Sequence, residues 1–191
     1  TDLPNWFWDP FQNQSYDQPD LHWTKVSEFN SATDIKTIWE MSRFSWAPIL
    51  ALAARNSDED ALPQLNLWVT DWAHRNPGYL GPNWRCGQET SLRLMNILMT
   101  QQILDSKSTL SANLIQLVYT HLTRISKTLD YARAQQNNHW TSEAAALYIG
   151  GAWLQKNTLT SSFQKQGERW HGLGKKHLLQ AISKLVDQDG C

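Results

Sequence analysis

Apolar residues recur every three to four positions along most of the chain from residue 33 onward, which is the spacing that one buried face of an α-helix produces. The pattern predicts helices over residues 33–52, with a bend or restart at Pro48, and over 58–75, 89–104, 111–130, 140–154, 161–171 and 175–186. Residues 76–85 contain two glycines and two prolines, so we expect a shaped loop there. Strand signals are nearly absent, because no run alternates between apolar and polar residues. The residues expected to be buried on the apolar stripes include Trp39, Phe44, Trp72, Leu94, Leu98, Leu117 and Leu147.

Residues 1–32 have a different pattern from the rest of the chain. Three prolines and several aromatic residues lie among polar residues there without a sustained period, which predicts an extended arm packed on a helical body. Helices in consecutive antiparallel hairpins either stack into a solenoid or close into a toroid, and no repeat of fixed length favours the solenoid. The sequence therefore predicts an all-α fold in two parts: the arm at 1–32, and an incomplete α/α toroid of about seven helices at 33–191.

Composition excludes several classes of protein. The 191 residues are the size of one domain, and 41% hydrophobic residues suffice for a buried core, which excludes disorder as the main state. A net charge of −1 with 18% charged residues argues against a nucleic-acid partner, since phosphate binding needs a concentrated basic face. No apolar stretch approaches the roughly 18 residues of a membrane span. The chain has 11 tryptophans, and an indole offers a flat face and one N–H donor, which suits a sugar-binding groove.

The strongest candidate for chemistry is the segment Asn137-Asn138-His139-Trp140, at the start of the fifth predicted helix. Free backbone N–H groups and the positive end of the helix dipole favour an anionic ligand there, such as a carboxylate. His139 is placed to accept a proton. The alternative is structural, with Asn138 capping the helix and His139 packed as an ordinary residue.

A second candidate is the loop and helix start at residues 83–93. Trp84 and Arg85 are expected to project from the loop, where the indole suits stacking on a sugar ring and the guanidinium suits an acidic group. Glu89 and Arg93 are one helical turn apart on the same face, so they can form an ion pair. The alternative is a structural Glu–Arg pair beneath a packed tryptophan.

The other polar clusters predict no metal or cofactor in this segment. Glu40 and Arg43 form a local pair that we interpret as structural. His139 and Glu143 are one turn apart, but no second histidine is near them and the H-E-x-x-H pattern is absent. The two cysteines match no metal-ligand spacing, and no nucleotide-binding motif is present.

Several short motifs occur in a fixed order along nearly the whole chain: Pro4-x-Trp6, His22-Trp23, DIKTIWEMSRF at 34–44, DW to NP at 71–77, GPNWRCGQETSLRLMN at 81–96, NNHWTSEA at 137–144 and Asp-Gly at 189–190. In this order and spacing they resemble the heparinase II/III family of polysaccharide lyases. The resemblance implies an N-terminal α/α toroid that continues into more toroid and an antiparallel β-sandwich domain. It also implies β-elimination at a uronic acid of an acidic polysaccharide, and a periplasmic or secreted location.

The resemblance gives roles to residues near the fifth helix. Asn138 looks like the group that neutralises the uronate carboxylate, with Asn137 as a substitute, and His139 looks like a base or carboxylate partner. The candidate substrate-binding residues are Asn137, Trp140, Trp84, Arg85, Glu89, Arg93 and Glu143. Family members place the tyrosine that protonates the leaving oxygen after the Asp-Gly pair, and this chain stops at Cys191. We therefore expect a fragment that needs the remainder of its own chain and is inactive alone.

Two other functions stay open. An α/α-toroid glycoside hydrolase needs two carboxylic acids roughly 5 to 9.5 Å apart across the sugar. Glu89 and Glu143 are the only acidic residues near both motif regions. The other possibility is a non-catalytic domain that binds acidic glycans through its tryptophans.

Overall fold

Residues 3–27, 29–30, 33–104 and 112–186 are described by the computed structural model, and most of them are helical. The helices are α1 (Ile35–Ser42), α2 (Trp46–Arg55), α3 (Ala61–Arg75), α4 (Gly87–Leu104), α5 (Ala112–Ser126), α6 (Leu129–Gln135), α7 (Asn138–Asn157) and α8 (Ser161–Leu185). The same ranges contain two short pairs of antiparallel strands, β1 (Trp8–Asp9) with β2 (Gln14–Ser15) and β3 (Phe29–Asn30) with β4 (Thr33–Asp34). The predicted all-α class is confirmed, and closure into a toroid stays a prediction.

The chain folds as two compact units. The first consists of Thr1–Glu89 and Asn96–Ser106, and the second of Thr90–Met95 and Lys107–Cys191. Helix α4 therefore contributes its two ends to the first unit and residues 90–95 to the second. No helix within the described ranges is long and apolar enough to cross a membrane.

An aromatic cluster forms the centre of the first unit. Trp6 is 1% exposed, its indole N–H donates to a carboxylate oxygen of Asp71 at 2.7 Å, and its ring lies 6.5 Å from that of Phe44. Trp72 is fully buried and donates its N–H to the Ser42 hydroxyl at 2.9 Å. The N-terminal arm therefore supplies a core side chain, and it is extended only in part, because it contains the β1–β2 hairpin.

The first predicted helix breaks at Phe44 and not at Pro48. Helix α1 ends at Ser42 and α2 begins at Trp46, and Phe44 between them has a left-handed backbone with a φ of 62°. Such a conformation costs a bulky residue on the order of 1–3 kcal/mol, which burial of the Phe44 ring against Trp72 offsets. Pro48 lies in the first turn of α2, where the missing N–H removes no helical hydrogen bond.

Two other predicted helix boundaries are wrong. The segment predicted as one helix over 111–130 is α5 followed by α6, with the break at Thr128. The Thr128 hydroxyl bonds to Glu143 and to the Ile125 carbonyl there, and such side-chain bonds compete with helix continuation. The two helices predicted over 161–171 and 175–186 are the single helix α8. Gly172 and Gly174 lie between the two predicted ranges, and a glycine in a helix costs only about 1 kcal/mol, which tertiary packing can override.

Helices α7 and α8 pack with their backbones in contact at glycines. A Cβ added at Gly174 would lie 2.3 Å from the backbone nitrogen of Tyr148 and 2.7 Å from the carbonyl oxygen of Ala144. A Cβ added at Gly151 would lie 2.4 Å from the backbone nitrogen of His171. Real Cβ atoms do not approach backbone this closely, so both positions need glycine for the helices to pack at this distance.

Six of the seven residues named above as buried on apolar stripes are buried in the structure. Trp39, Phe44, Trp72, Leu94, Leu98 and Leu147 are at most 7% exposed, and Leu117 is half-buried. Trp39 also donates its indole N–H to the Pro82 carbonyl oxygen at 2.9 Å. The predicted burial was therefore correct at six of these positions, including Phe44, which lies between two helices.

Candidate functional site

Asn137, and not Asn138, caps the start of α7. Its Oδ1 accepts a hydrogen bond from the His139 backbone N–H at 3.0 Å, and its carbonyl oxygen accepts from the Trp140 N–H at 3.1 Å. The Asn137 backbone is extended, as is usual for an N-cap. The preceding Gln136 is left-handed, with a φ of 50°, and ends α6. The capping role that the sequence offered for Asn138 therefore belongs to its neighbour.

This cap leaves Asn138 and His139 available to a ligand. Asn138 is exposed and His139 is half-buried. Within the described part of the chain neither side chain has a hydrogen-bond or ionic partner, and the Asn138 backbone N–H has no acceptor. The Asn138 carbonyl oxygen accepts from the hydroxyls of Thr141 and Ser142 at 2.9 and 2.8 Å. The start of this 20-residue helix thus combines a well-held backbone with two unpaired polar side chains at the positive end of the dipole.

Trp140 is directed into the second unit. It is 1% exposed, and its indole N–H donates to Nδ1 of His177 on α8 at 3.1 Å. Burial lowers the pKa of His177, the charges of Arg133 and Lys176 lower it further, and Asp130 acts in the opposite direction. Because the indole is enclosed, the sugar-binding contact expected of Trp140 is not available to its ring in this structure.

Glu143, one turn further along α7, is a buried carboxyl group. It is 2% exposed, and the Thr128 hydroxyl donates to its Oε2 at 3.0 Å. Nη1 of the fully buried Arg124 donates to the Thr128 Oγ1 at 3.1 Å. Burial raises the pKa of Glu143 to about 7, against the opposite effects of the Thr128 hydrogen bond and the Arg124 charge. Glu143 therefore holds the junction of α5 and α6 to α7, and it is closed to a substrate in this structure.

Trp84 is a packed residue as well. It is 1% exposed, its indole N–H donates to the Asn76 carbonyl oxygen at 3.2 Å, and its ring lies 5.9 Å from those of Trp72 and Tyr79. The ring presents no open face to a sugar, so the packed alternative holds for Trp84. Arg85 is half-buried, and its contact with an acidic group of a ligand stays a prediction.

Glu89 is held by Arg43 through a two-pronged ion pair. Nε and Nη2 of Arg43 donate to the two Glu89 carboxylate oxygens at 2.6 and 2.9 Å. Arg43 also pairs with Glu40, which confirms the predicted local pair. The Glu89 hydrogen bond is the main reason that the pKa of Arg43 is raised. Sequence analysis missed the Arg43–Glu89 pair, because its residues are 46 positions apart and share no periodic pattern.

Arg93 is paired with a buried histidine in the second unit. Its Nε donates to Nε2 of His121 at 2.9 Å, and the His121 Nδ1–H donates to the Leu117 carbonyl oxygen at 2.8 Å. Burial, followed by the Arg93 charge, holds the pKa of His121 well below its usual range, so the ring is neutral. The one sequence signal for this pair is a histidine inside an apolar stripe. Glu89 belongs to the other unit, and its pairing with Arg93 stays a prediction.

Residues 3–27, 29–30, 33–104 and 112–186 contain no group of three or more His, Cys, Asp or Glu residues that could hold a metal ion. Cys86 is buried and forms no disulfide within the described residues. The Asp-Gly motif at 189–190 and Cys191 lie outside the described residues.

No family model, curated protein or solved structure matches the chain. The resemblance to heparinase II/III lyases therefore depends on the motifs quoted above.

Proposed function

We propose that the chain is part of a polysaccharide lyase that cleaves uronic-acid-containing glycans by β-elimination. The observation that carries this proposal is the pair Asn138 and His139, whose side chains have no partners within the described residues and lie at the start of α7. An amide and an imidazole next to each other at a helix N-terminus suit the two tasks that start an elimination.

The first task is to neutralise the uronate carboxylate. The proton on the carbon beside a carboxylate is weakly acidic until hydrogen bonds withdraw charge from that carboxylate. Asn138 offers its side-chain NH2 and a backbone N–H without an acceptor in the described part of the chain, and the helix dipole adds positive potential. These donors stabilise the enediolate that forms when the proton leaves.

The second task is to remove that proton. His139 accepts it from the carbon beside the carboxylate, and the electron pair forms a carbon–carbon double bond as the glycosidic carbon–oxygen bond breaks. The leaving oxygen then needs a proton, which the resemblance assigns to a tyrosine after Asp189 and Gly190. In this proposal Asn138 is the neutralising group, His139 is the base, and the acid is the tyrosine that the resemblance implies.

The test is to incubate the protein, with its native flanking sequence, with a panel of uronate polysaccharides and follow the ultraviolet absorbance of the unsaturated product. Asn138→Ala and His139→Ala are expected to lower turnover by about 10²–10⁴-fold. Asn113→Ala and His74→Ala are matched controls at exposed helical positions and should retain full activity. Absence of product with every polymer, beside an active control lyase, would refute the proposal.

Two other outcomes would point to the alternative functions. New reducing ends without unsaturated product would indicate a glycoside hydrolase, although Glu89 and Glu143 are both buried and hydrogen-bonded. Glycan binding without turnover, unchanged by Asn138→Ala and His139→Ala, would indicate a binding domain. The buried state of Trp84 and Trp140 gives that reading less support than the sequence suggested.

A further inference from the structure

The first turn of α7 is attached to the rest of the second unit through Trp140. Asn138 is exposed and His139 half-buried, whereas Trp140 is 1% exposed. The three residues share one helical turn, so the rotation of that turn about the helix axis follows the position of the indole. A group that fixes Trp140 therefore fixes where Asn138 and His139 lie.

His177 on α8 fixes Trp140 by accepting its indole N–H. The two nitrogens are 3.1 Å apart, and the imidazole, 5% exposed, meets the indole edge-on at 81°. The close packing at Gly174, three residues earlier, brings this part of α8 against α7. An indole can only donate, so His177 Nδ1 is unprotonated and the neutral ring carries its proton on Nε2.

We propose that His177 is a positioning residue, which holds Trp140 and thereby places Asn138 and His139 to bind and deprotonate a uronate. This inference rests on the function proposed above for the same site. His177 does not touch the substrate in this role and acts through one hydrogen bond. Misplacing catalytic groups by about 1 Å can lower turnover by about 100-fold, so an anchor adjacent to the base is a determinant of rate.

The anchor requires that His177 stays neutral. A proton on Nδ1 would set one N–H against another and break the bond to Trp140. The charged groups that act on His177 are Asp130 and Arg133 on α6 and Lys176 on α8, while α7 presents the neutral Trp140. Burial, Arg133 and Lys176 lower the pKa of His177, and Asp130 raises it. The hydrogen bond from Trp140 therefore holds Asn138 and His139 in place at pH values above the pKa of His177, and it is lost at pH values below that pKa.

Three variants separate positioning from packing. His177→Phe keeps an aromatic ring and removes the acceptor, whereas His177→Asn restores an acceptor oxygen near the place of Nδ1. His171→Phe is the matched control, because His171 on α8 also bonds to α7, through Nδ1 to the Tyr148 carbonyl oxygen at 2.9 Å. Tyr148 is two turns beyond Trp140, so this control removes a similar contact away from the site.

The first readout is amide hydrogen exchange and chemical shift in the 191-residue chain, and it needs no lyase activity. His177→Phe is expected to speed exchange of the His139 amide, which donates to Asn137, by about tenfold and to shift the Asn138 amide. His177→Asn should recover most of this change, and His171→Phe should leave both amides unchanged. Acid should produce the same change in the wild type and not in His177→Phe. Amides that stay as in the wild type in His177→Phe would overturn the positioning role.

The second readout is turnover of a uronate polymer by the protein with its native flanking sequence. His177→Phe is expected to lower kcat by about 10–100-fold with a smaller change in KM, and His177→Asn to restore most of it. His171→Phe should keep the wild-type kcat. Lower stability with an unchanged kcat in His177→Phe would show a purely structural role. If the amides change in His177→Phe but the wild type turns over no polymer, the lyase proposal is refuted and His177 is still the residue that holds Trp140.

Discussion

The contact between α7 and α8 at Gly174 gives the sharpest prediction about stability. Gly174→Ala adds one carbon at a position that lies 2.3 Å from the backbone nitrogen of Tyr148 and 2.7 Å from the Ala144 carbonyl oxygen. These are backbone atoms, which cannot turn aside as a flexible side chain can. The two helices must therefore separate locally for the variant to fold.

The size of the effect follows from the distances. An ordinary contact needs about 3.4 Å, so the Gly174 site is short by about 1.1 Å. A gap of 0.5–1 Å forfeits about a quarter to a half of the dispersion energy of the atoms that it parts, and overpacking of this kind typically costs about 1–3 kcal/mol. Alanine is better than glycine in a helix by about 1 kcal/mol, which offsets part of that cost. Because the clashing atoms are backbone, we take the upper end of that cost, about 3 kcal/mol, and expect Gly174→Ala to lower the free energy of unfolding by about 2 kcal/mol.

Gly172→Ala is the matched control for this prediction, because it lies in the same helix and its added Cβ would meet nothing within 4 Å. It should raise the free energy of unfolding by about 1 kcal/mol through helix propensity alone. Urea unfolding followed by circular dichroism should then separate the two variants by about 3 kcal/mol. Equal stability of the two variants would refute the claim that α7 and α8 pack backbone to backbone.

Three further predictions concern capping and buried charge. Asn137→Ala should lower the free energy of unfolding by about 1 kcal/mol, and Asn137→Ser by much less, because serine also caps a helix. Equal losses of the two variants in urea unfolding would contradict the capping role of Asn137. The folded pKa of Glu143 is about 7 against an ordinary 4.5, so the stability that this group contributes, about 3 kcal/mol, is present below pH 4.5 and is lost as pH rises from there through 7. Glu143→Gln should lack this loss between pH 5 and pH 8, and an unchanged pH dependence would show that the carboxyl group is ionised throughout. Arg43→Gln leaves Glu89 buried without its ion pair and should lower the free energy of unfolding by about 3 kcal/mol. Glu40→Gln should lower it by under about 1 kcal/mol, because Glu40 is exposed, and similar losses in the two variants would contradict this difference in burial.

The sequence predicted the helical class and most of the core, because the apolar period is a local signal that burial preserves. It failed at helix boundaries that distant contacts determine. The left-handed Phe44 is stabilised by packing on Trp72, and the break at Thr128 goes with its bond to Glu143. The continuity of α8 through its glycines follows from the close approach of α7, which no local pattern reveals.

The helix start that carries the candidate site was predicted from the sequence, with its cap displaced by one residue, and the site itself stays a prediction. Helix-start chemistry pointed to Asn137–Trp140, and the structure assigns the cap to Asn137 and leaves Asn138 unpaired. Burial of tryptophan could not be read from the sequence, because an indole suits both a core and a sugar groove, and Trp84 and Trp140 proved to be core. The partner of Trp140, His177, lies 37 positions away and only the fold brings the two together.

The sequence distance between core partners also bears on the order in which the two units fold. In the first unit, Trp6 reaches Asp71 across 65 positions, so the chain must close a long loop before Trp6 joins the aromatic core. In the second, α7 and α8 are consecutive helices joined by a short turn, and their glycine contacts span fewer positions than the contact of Trp6 with Asp71. Contacts between residues close in sequence form faster than contacts between distant ones. We therefore expect the α7–α8 hairpin to form before the N-terminal segment packs on the first unit.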